Sequence, residues 1–209
     1  MPLQSRRETD NGQVSKNNSD FSIKSLLYPV FLPSFLFSIG ESSLIPVIPA
    51  SAEALGADIP TAGIIAGLGL LGTLFADIPA VKFVNYLGER KAMITAAFLA
   101  ASGILVAVFA SNIWMLSIGI FLTGACHAVF GLARHGFLAE AVPIEKRGRA
   151  LAILGGTFRG GGFVGPLIGS VLVAAFGVSS VYWLPVIFSL FAASVLLTTK
   201  PENFGDTPP

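Results

Sequence analysis

Apolar residues run through this chain in long stretches, and short polar clusters interrupt them at nearly regular intervals. Six stretches reach the roughly 20 residues that a helix needs to cross a bilayer. They fall at 26–50, 60–84, 91–110, 112–137, 150–175 and 179–199. The breaks lie at Ala57-Asp58-Ile59-Pro60, Tyr86-Leu87-Gly88-Glu89-Arg90-Lys91, Ser111-Asn112, a basic turn over 143–149, and Gly177-Val178-Ser179-Ser180. No stretch alternates with period two, which argues against a transmembrane β-barrel. The pattern predicts an all-α integral membrane protein: a six-helix transmembrane bundle over 25–199, with short polar segments at 1–24 and 200–209.

Composition agrees with this reading. Hydrophobic residues make up 53% of the 209 and charged residues 12%, against about 25% charged in a typical soluble domain. The net charge of +1 gives no footprint for nucleic acid. One cysteine, Cys126, excludes an internal disulfide and cannot build a metal cluster. Residues 1–20 are polar and mixed in charge without an early apolar core, so a disordered tail is expected there rather than a secretory leader.

The distribution of charge sets an orientation. Arg6, Arg7, Lys16 and Lys24 precede the first stretch, and Arg90 and Lys91 follow the second. Lys146, Arg147 and Arg149 follow the fourth, and Lys200 follows the sixth. The alternate connections carry Glu53 and Asp58 but no lysine or arginine. Basic residues accumulate on the cytoplasmic side, so both termini are expected in the cytoplasm of a multi-pass protein of the cell membrane.

Candidate chemistry concentrates in a few apolar stretches. Pro33, Pro46 and Pro49 interrupt the first, where Ser34, Ser38, Glu41 and Ser42 share one helical face. The carboxylate favours a water-lined face over serines that merely bond their own backbone. The glycines of the second stretch, Gly63, Gly67, Gly69 and Gly72, are expected to pack helices. Asp77 lies about 12 Å from its basic end, whereas Lys82 reaches the interface on its long stem. In the fourth stretch Thr123, His127, Gly131 and Arg134 share a face. A hydrogen-bonded core role is expected for His127, and a place at the inner membrane face for Arg134 and His135.

The fifth stretch carries Gly161, Gly165 and Gly169 at four-residue spacing, a groove that invites close helix contact. That contact could lie within the bundle or between subunits. A neighbouring face holds Gly155, Arg159, Gly162 and Pro166. An arginine so far inside an apolar span marks a polar interior and needs a carboxylate. Counted from the basic end, Asp77 matches its depth best and Glu41 lies deeper but within partial reach of the arginine stem, so both remain candidates. No nucleophile–base–orienter set or phosphate-binding loop is visible, so no enzymatic activity, cofactor or metal is expected.

Three motifs give a family resemblance. Val81 to Arg90 aligns with the G-x-L-x-D-R-x-G-R-R loop of the major facilitator superfamily, matching at Gly88 and Arg90 and departing at Val81, Asn85, Tyr86 and Glu89. Pro143, Glu145, Arg147, Gly148, Arg149 and Ala150 match its P-x-E-x-R-G-R-A turn. Gly161, Gly165, Pro166 and Gly169 match the G-x-x-x-G-P-x-x-G pattern associated with proton-coupled exporters. The arginine that many exporters place in the fourth helix aligns near Ile120 and is absent. The chain thus resembles the amino-terminal six-helix half of such a transporter.

The resemblance implies transport of a small organic solute or drug by alternating access between two bundles, with proton-coupled efflux. It places the first and fifth spans side by side, which favours Glu41 as the partner of Arg159 and leaves Asp77 as the more independent carboxylate and the candidate proton carrier. Glu41, Asp77, His127, Arg134 and Arg159 are the expected translocation or coupling residues. Gly88, Arg90, Arg147, Gly161, Gly165, Pro166 and Gly169 are the expected conformational motif. It also implies a second six-helix half, as a homodimer or a heteromer, besides membrane lipid and a small-molecule substrate. The alternative is a non-transporting truncated or regulatory membrane protein derived from such a transporter.

Overall fold

A computed structural model describes residues 23–198. The polar segments expected at 1–24 and 200–209 lie outside that range, save for Ile23 and Lys24. Among the described residues all regular structure is helical. A 3₁₀ turn, Ile23–Leu26, and a π turn, Leu27–Phe31, lead into α1, Leu32–Leu44. Then come α2, Ile48–Ala54; α3, Ile59–Leu87; α4, Glu89–Val108; α5, Ile113–Ala141; α6, Ile144–Phe176; and, after a 3₁₀ turn at Val178–Tyr182, α7, Trp183–Thr198. Six helical segments are long and apolar enough to cross a membrane, at Ile23–Leu44, Ile59–Leu87, Glu89–Val108, Ile113–Ala141, Ile144–Phe176 and Val178–Thr198.

Two boundaries differ from the sequence pattern. The first span stops at Leu44, and α2 follows as a separate short helix rather than continuing to residue 50. Pro46 has no amide proton, so the ladder ends in tight turns, Ile45 N–H to Ser42 O at 3.3 Å and Val47 N–H to Leu44 O at 2.8 Å. The basic stretch at 143–149 is no loop either. Pro143 ends the preceding segment and its carbonyl accepts from Lys146 and Arg147, so the basic residues occupy the first two turns of α6. Elsewhere the ends follow capping chemistry. Asp58 and Asn112 accept the Thr61 and Met115 amides, opening α3 and α5. Gly88, at φ 77°, closes α3 in a conformation that a Cβ would oppose.

The spans pack as two triples. One holds α1, α6 and α7; the other holds α3, α4 and α5; α4 and α7 join them along one side. Exchanging α1, α3 and α4 for α5, α6 and α7 maps the main pairings onto themselves, so the bundle is an internal duplication in plan. Each triple has a glycine seam. In the first, Gly161 and Gly165 lie against Ser38, Ser42 and the backbone of Phe35 and Ile39, and Gly169 lies against Ser43. In the second, Gly124 faces the backbone of Gly69, and Gly72 faces that of Phe121. Thr73 Oγ1 donates across this seam to Gly124 O at 3.0 Å.

The groove of α6 is therefore filled from within the bundle, by α1, and is not free for a contact between subunits. The glycines of α3 divide. Gly69 and Gly72 pack as expected, whereas a Cβ at Gly63 or Gly67 would meet open space.

Gly165→Leu is expected to collapse folded, monodisperse yield in mild detergent, because its first carbon already collides with Ile39 O and Ser42 Oγ. Overpacking of this kind costs about 1–3 kcal/mol or more. Gly63→Ala, in open space, leaves yield and thermal stability unchanged or raised. Equal yields for the two variants contradict the seam. At the other end of the molecule, the Thr61 hydroxyl and amide hold the exposed Asp58 carboxyl below its ordinary value. Its cap is complete above the ordinary carboxylate range and lost as pH falls through the lowered value. Hydrogen exchange at the Thr61 amide accelerates over that acid window and not in Asp58→Asn.

Candidate functional site

Between the two triples α1 and α5 stand apart, and a cavity of about 460 Å³ fills the gap, open on one side. Helices α3 and α6 flank it. Its polar wall comes from Ser38, Glu41 and Ser42 of α1, Thr73 of α3, and Thr123 and His127 of α5. Leu44, Ile48, Leu70, Ile120 and Phe158 supply the apolar remainder. A second cavity of about 410 Å³ lies between α3, α4 and α5. Its lining holds no ionisable side chain apart from the Cys126 thiol, so it offers apolar volume without charge recognition.

The centre of the first cavity is one contact. His127 Nδ1 lies 2.5 Å from Glu41 Oε2. A carboxylate only accepts, so the proton of this bond is carried on Nδ1 whenever Glu41 is ionised. Both side chains are about one quarter exposed, enough to meet water or a solute in the cavity. Phe158 meets the imidazole edge-on at 5.6 Å, and Phe37, stacked on Phe130 at 4.3 Å, backs it from the other side.

Around this pair three further charges are arranged. Arg134 sits seven residues beyond His127 on the same helix, 6% exposed, with its guanidinium 4.2 Å above the Phe158 ring. Nε and Nη1 have no hydrogen-bond partner, and the Glu41 charge acts on the guanidinium. Asp77 is exposed on α3, one turn beyond the cavity-lining Thr73, and its charge reaches His127. Arg159 is exposed on α6. Among the described residues, Asp77 and Arg159 make no salt bridge.

Several sequence expectations change here. Glu41 is held by His127, not by Arg159, because the register of α1 against α6 brings serines and glycines together while Glu41 turns towards α5. Arg159 faces away from that seam, more than 100° round α6 from Gly161 and Gly165. His127 is hydrogen-bonded as expected, and its partner is the Glu41 carboxylate at the cavity wall. Arg134 is buried in the bundle against Phe158, whereas His135 beside it is exposed and bonded to Gly131 O at 2.6 Å. The serine face does both jobs considered for it. Ser38 Oγ donates to Phe158 O at 2.6 Å and Ser42 Oγ to Ser38 O at 2.5 Å, yet both residues border the cavity. Phe158 was not singled out; its one legible signal is its place between the α6 glycines and Arg159.

The motif residues occupy the basic end or the seam. Arg90 donates from Nε and Nη2 to Leu196 O at 3.2 and 3.1 Å, and from Nη2 to Leu197 O, tying the start of α4 to the end of α7. Arg147 Nε donates to Val142 O at 2.9 Å. Pro166 lies inside α6, where it offers no amide to the carbonyl of cavity-lining Gly162. Among the described residues no group of three or more His, Cys, Asp or Glu side chains is placed to hold a metal.

Comparison with known proteins converges on one family. The Major Facilitator Superfamily model matches residues 30–208. The multidrug resistance protein MdtG of Proteus mirabilis is 30% identical over 194 residues, covering 90% of this chain and 47% of that protein. The class H tetracycline resistance protein of Pasteurella multocida is 29% identical over 185 residues, covering 85% and 44%. A crystal structure of the peptide transporter POT in complex with sulfate superposes with a TM-score of 0.73 over 88% of this chain and 38% of its own, at 15% identity. The chain spans about half the length of the curated relatives it matches. A half-open six-span bundle with the family's glycine-rich fifth span, matched along most of its length, belongs to the major facilitator superfamily of membrane transporters.

Proposed function

We propose that this chain forms one six-helix wall of a transporter that moves small organic solutes or drugs by alternating access, with proton-coupled efflux. The observation that carries the reading is the Glu41–His127 pair in the wall of a cavity that is open on one side. The printed names of the relatives, multidrug resistance and tetracycline resistance proteins, support the substrate class. A carboxylate in such a wall has three competing partners: the imidazole, a proton, and a cationic group on a solute. Protonation of Glu41 frees His127, and a bound cation does the same, so proton and solute exclude one another at the site. That exclusion is the elementary requirement for exchange. Arg134, fixed against Phe158, supplies a positive charge near the pair.

The open side calls for a second six-helix half. An unpaired arginine in mid-membrane costs about 2.5–3.5 kcal/mol on insertion scales, so Arg159 and Asp77 must face protein or water. Both lie on helices that flank the cavity. The lysine and arginine asymmetry supports cytoplasmic termini for this wall.

Purified protein in liposomes is expected to exchange tetracycline or a cationic dye against an imposed proton gradient. Glu41→Gln lowers that gradient-driven flux about ten-fold or more, the scale of a lost charge-assisted bond. No flux above empty liposomes with either probe overturns the reading in favour of a non-transporting protein. Glu41→Gln and His127→Gln are expected to be non-additive in thermal stability, with a coupling of about 0.5–3 kcal/mol. Additive losses reject the pair as an energetic unit. Cysteines placed at Ser111 and Ser180 label from outside intact cells and one at Glu145 does not; the reverse pattern inverts the orientation.

A further inference from the structure

We propose that the open side of the cavity is closed by a second copy of this chain, related by a two-fold axis parallel to the helices, with Asp77 of each copy facing Arg159 of the other. The inference rests on the reading of the chain as one wall of a transport cavity and names what completes it.

Three observations lead there. Only 17% of the spanning window is buried in each of α3 and α6, against 44–61% in the other four spans. Away from its basic end each of these two open helices carries one exposed charge, Asp77 on α3 and Arg159 on α6, of opposite sign and with no hydrogen bond or salt bridge to it among the described residues; exposed Lys82, Glu145 and Arg149 lie nearer the basic end. Each charge also adjoins the cavity: Asp77 stands one turn past Thr73, and Arg159 lies between Phe158 and Gly162.

Symmetry then fixes the pairing. With α3 on one flank of the cavity and α6 on the other, a two-fold rotation through its open side sets α3 of one copy opposite α6 of its partner. An isologous interface of this kind repeats each contact twice. One pair of residues therefore satisfies four charges. Depth agrees. Thr73 is level with Gly124 through its hydrogen bond, which puts Asp77 close to the level of Ala128 and so of the Glu41–His127 contact. Ser38 is level with Phe158 through another, which puts Arg159 a few residues to the basic side of Glu41. At 1.5 Å per residue the two charges differ in depth by no more than about 6 Å, which an arginine stem spans. The dimer also faces two Glu41–His127 pairs across one enclosed space.

The test is capture between two tagged copies, co-expressed and extracted in mild detergent or taken directly in lipid nanodiscs. Wild type captures wild type. Asp77→Arg with itself, or Arg159→Asp with itself, loses capture about ten-fold or more, since both interface contacts become like-charge. Asp77→Arg co-expressed with Arg159→Asp restores capture, because both contacts across the heterodimer are then of opposite sign. This rescue also shows that each variant folds. A wild type that does not capture itself, as with a strict monomer or a bundle that associates only with a different protein, overturns the proposal. So does rescue by the two substitutions in one chain without rescue between chains, which places the pair within a single copy. The liposome assay reads the underlying function separately. Flux without self-capture rejects the dimer and leaves the transport reading standing; self-capture with the charge-swap pattern but no flux rejects transport and leaves the dimer.

Discussion

Close backbone approach at the two glycine seams is the constraint on which the rest of the bundle depends. Lipid tails are as apolar as leucine, so helices in hydrocarbon gain little from hiding apolar side chains from one another and associate through packing and interhelical hydrogen bonds. Gly161, Gly165 and Gly169 let α6 lie against the serine face of α1, and Gly69, Gly72 and Gly124 bring α3 and α5 together in the same way. Each seam makes a tight unit. Because α1 and α5 spend their small residues on different neighbours, they do not close on each other, and the cavity is the space left between them. The site is a product of where the glycines are.

Across that space the two triples touch through an ion pair and a ring stack, Glu41 with His127 and Phe37 with Phe130. The stack lies towards the basic end, one turn along α1 from Glu41. Contacts of this sort are directional and breakable, unlike a seam of interlocked backbones. The join on the opposite side, α4 against α7, is reinforced by Arg90 on the last carbonyls of α7. One side of the bundle is thus fastened and the other is latched.

Much of this was legible in the sequence, and what was not has a common cause. Six spans, the all-helical class and the packing role of Gly161, Gly165 and Gly169 follow from local rules of length, hydropathy and small-residue spacing. The residues of the site were visible too, since ionisable groups within apolar runs are few. Their pairing was not visible. Helical spacing says that Glu41 shares a face with Ser38 and Ser42, but not that a rotation of that face gives the serines to α6 and the carboxylate to α5. The family resemblance favoured Arg159 as partner because it sets the first and fifth spans side by side; they do pack together, but through serines and glycines, with Arg159 on another face of α6. The burial of Arg134 was not visible either. Distance from a span's end is a poor guide to burial when a neighbouring ring, here Phe158, covers the side chain laterally.

The seam between α1 and α6 also bears on how the protein is made. Ser38 and Phe158 are 120 residues apart in sequence yet share a hydrogen bond. At about 5–20 residues per second, ribosomal synthesis of that interval takes roughly 6–24 seconds. Throughout it α1, broken at Pro46 and carrying Glu41 with neither His127 nor its glycine groove yet in place, is a poor occupant of lipid on its own. Among the described spans, the one made first is the one whose partners arrive last. Its stay beside the insertion machinery, until the fifth span is released into the membrane, becomes part of the folding pathway.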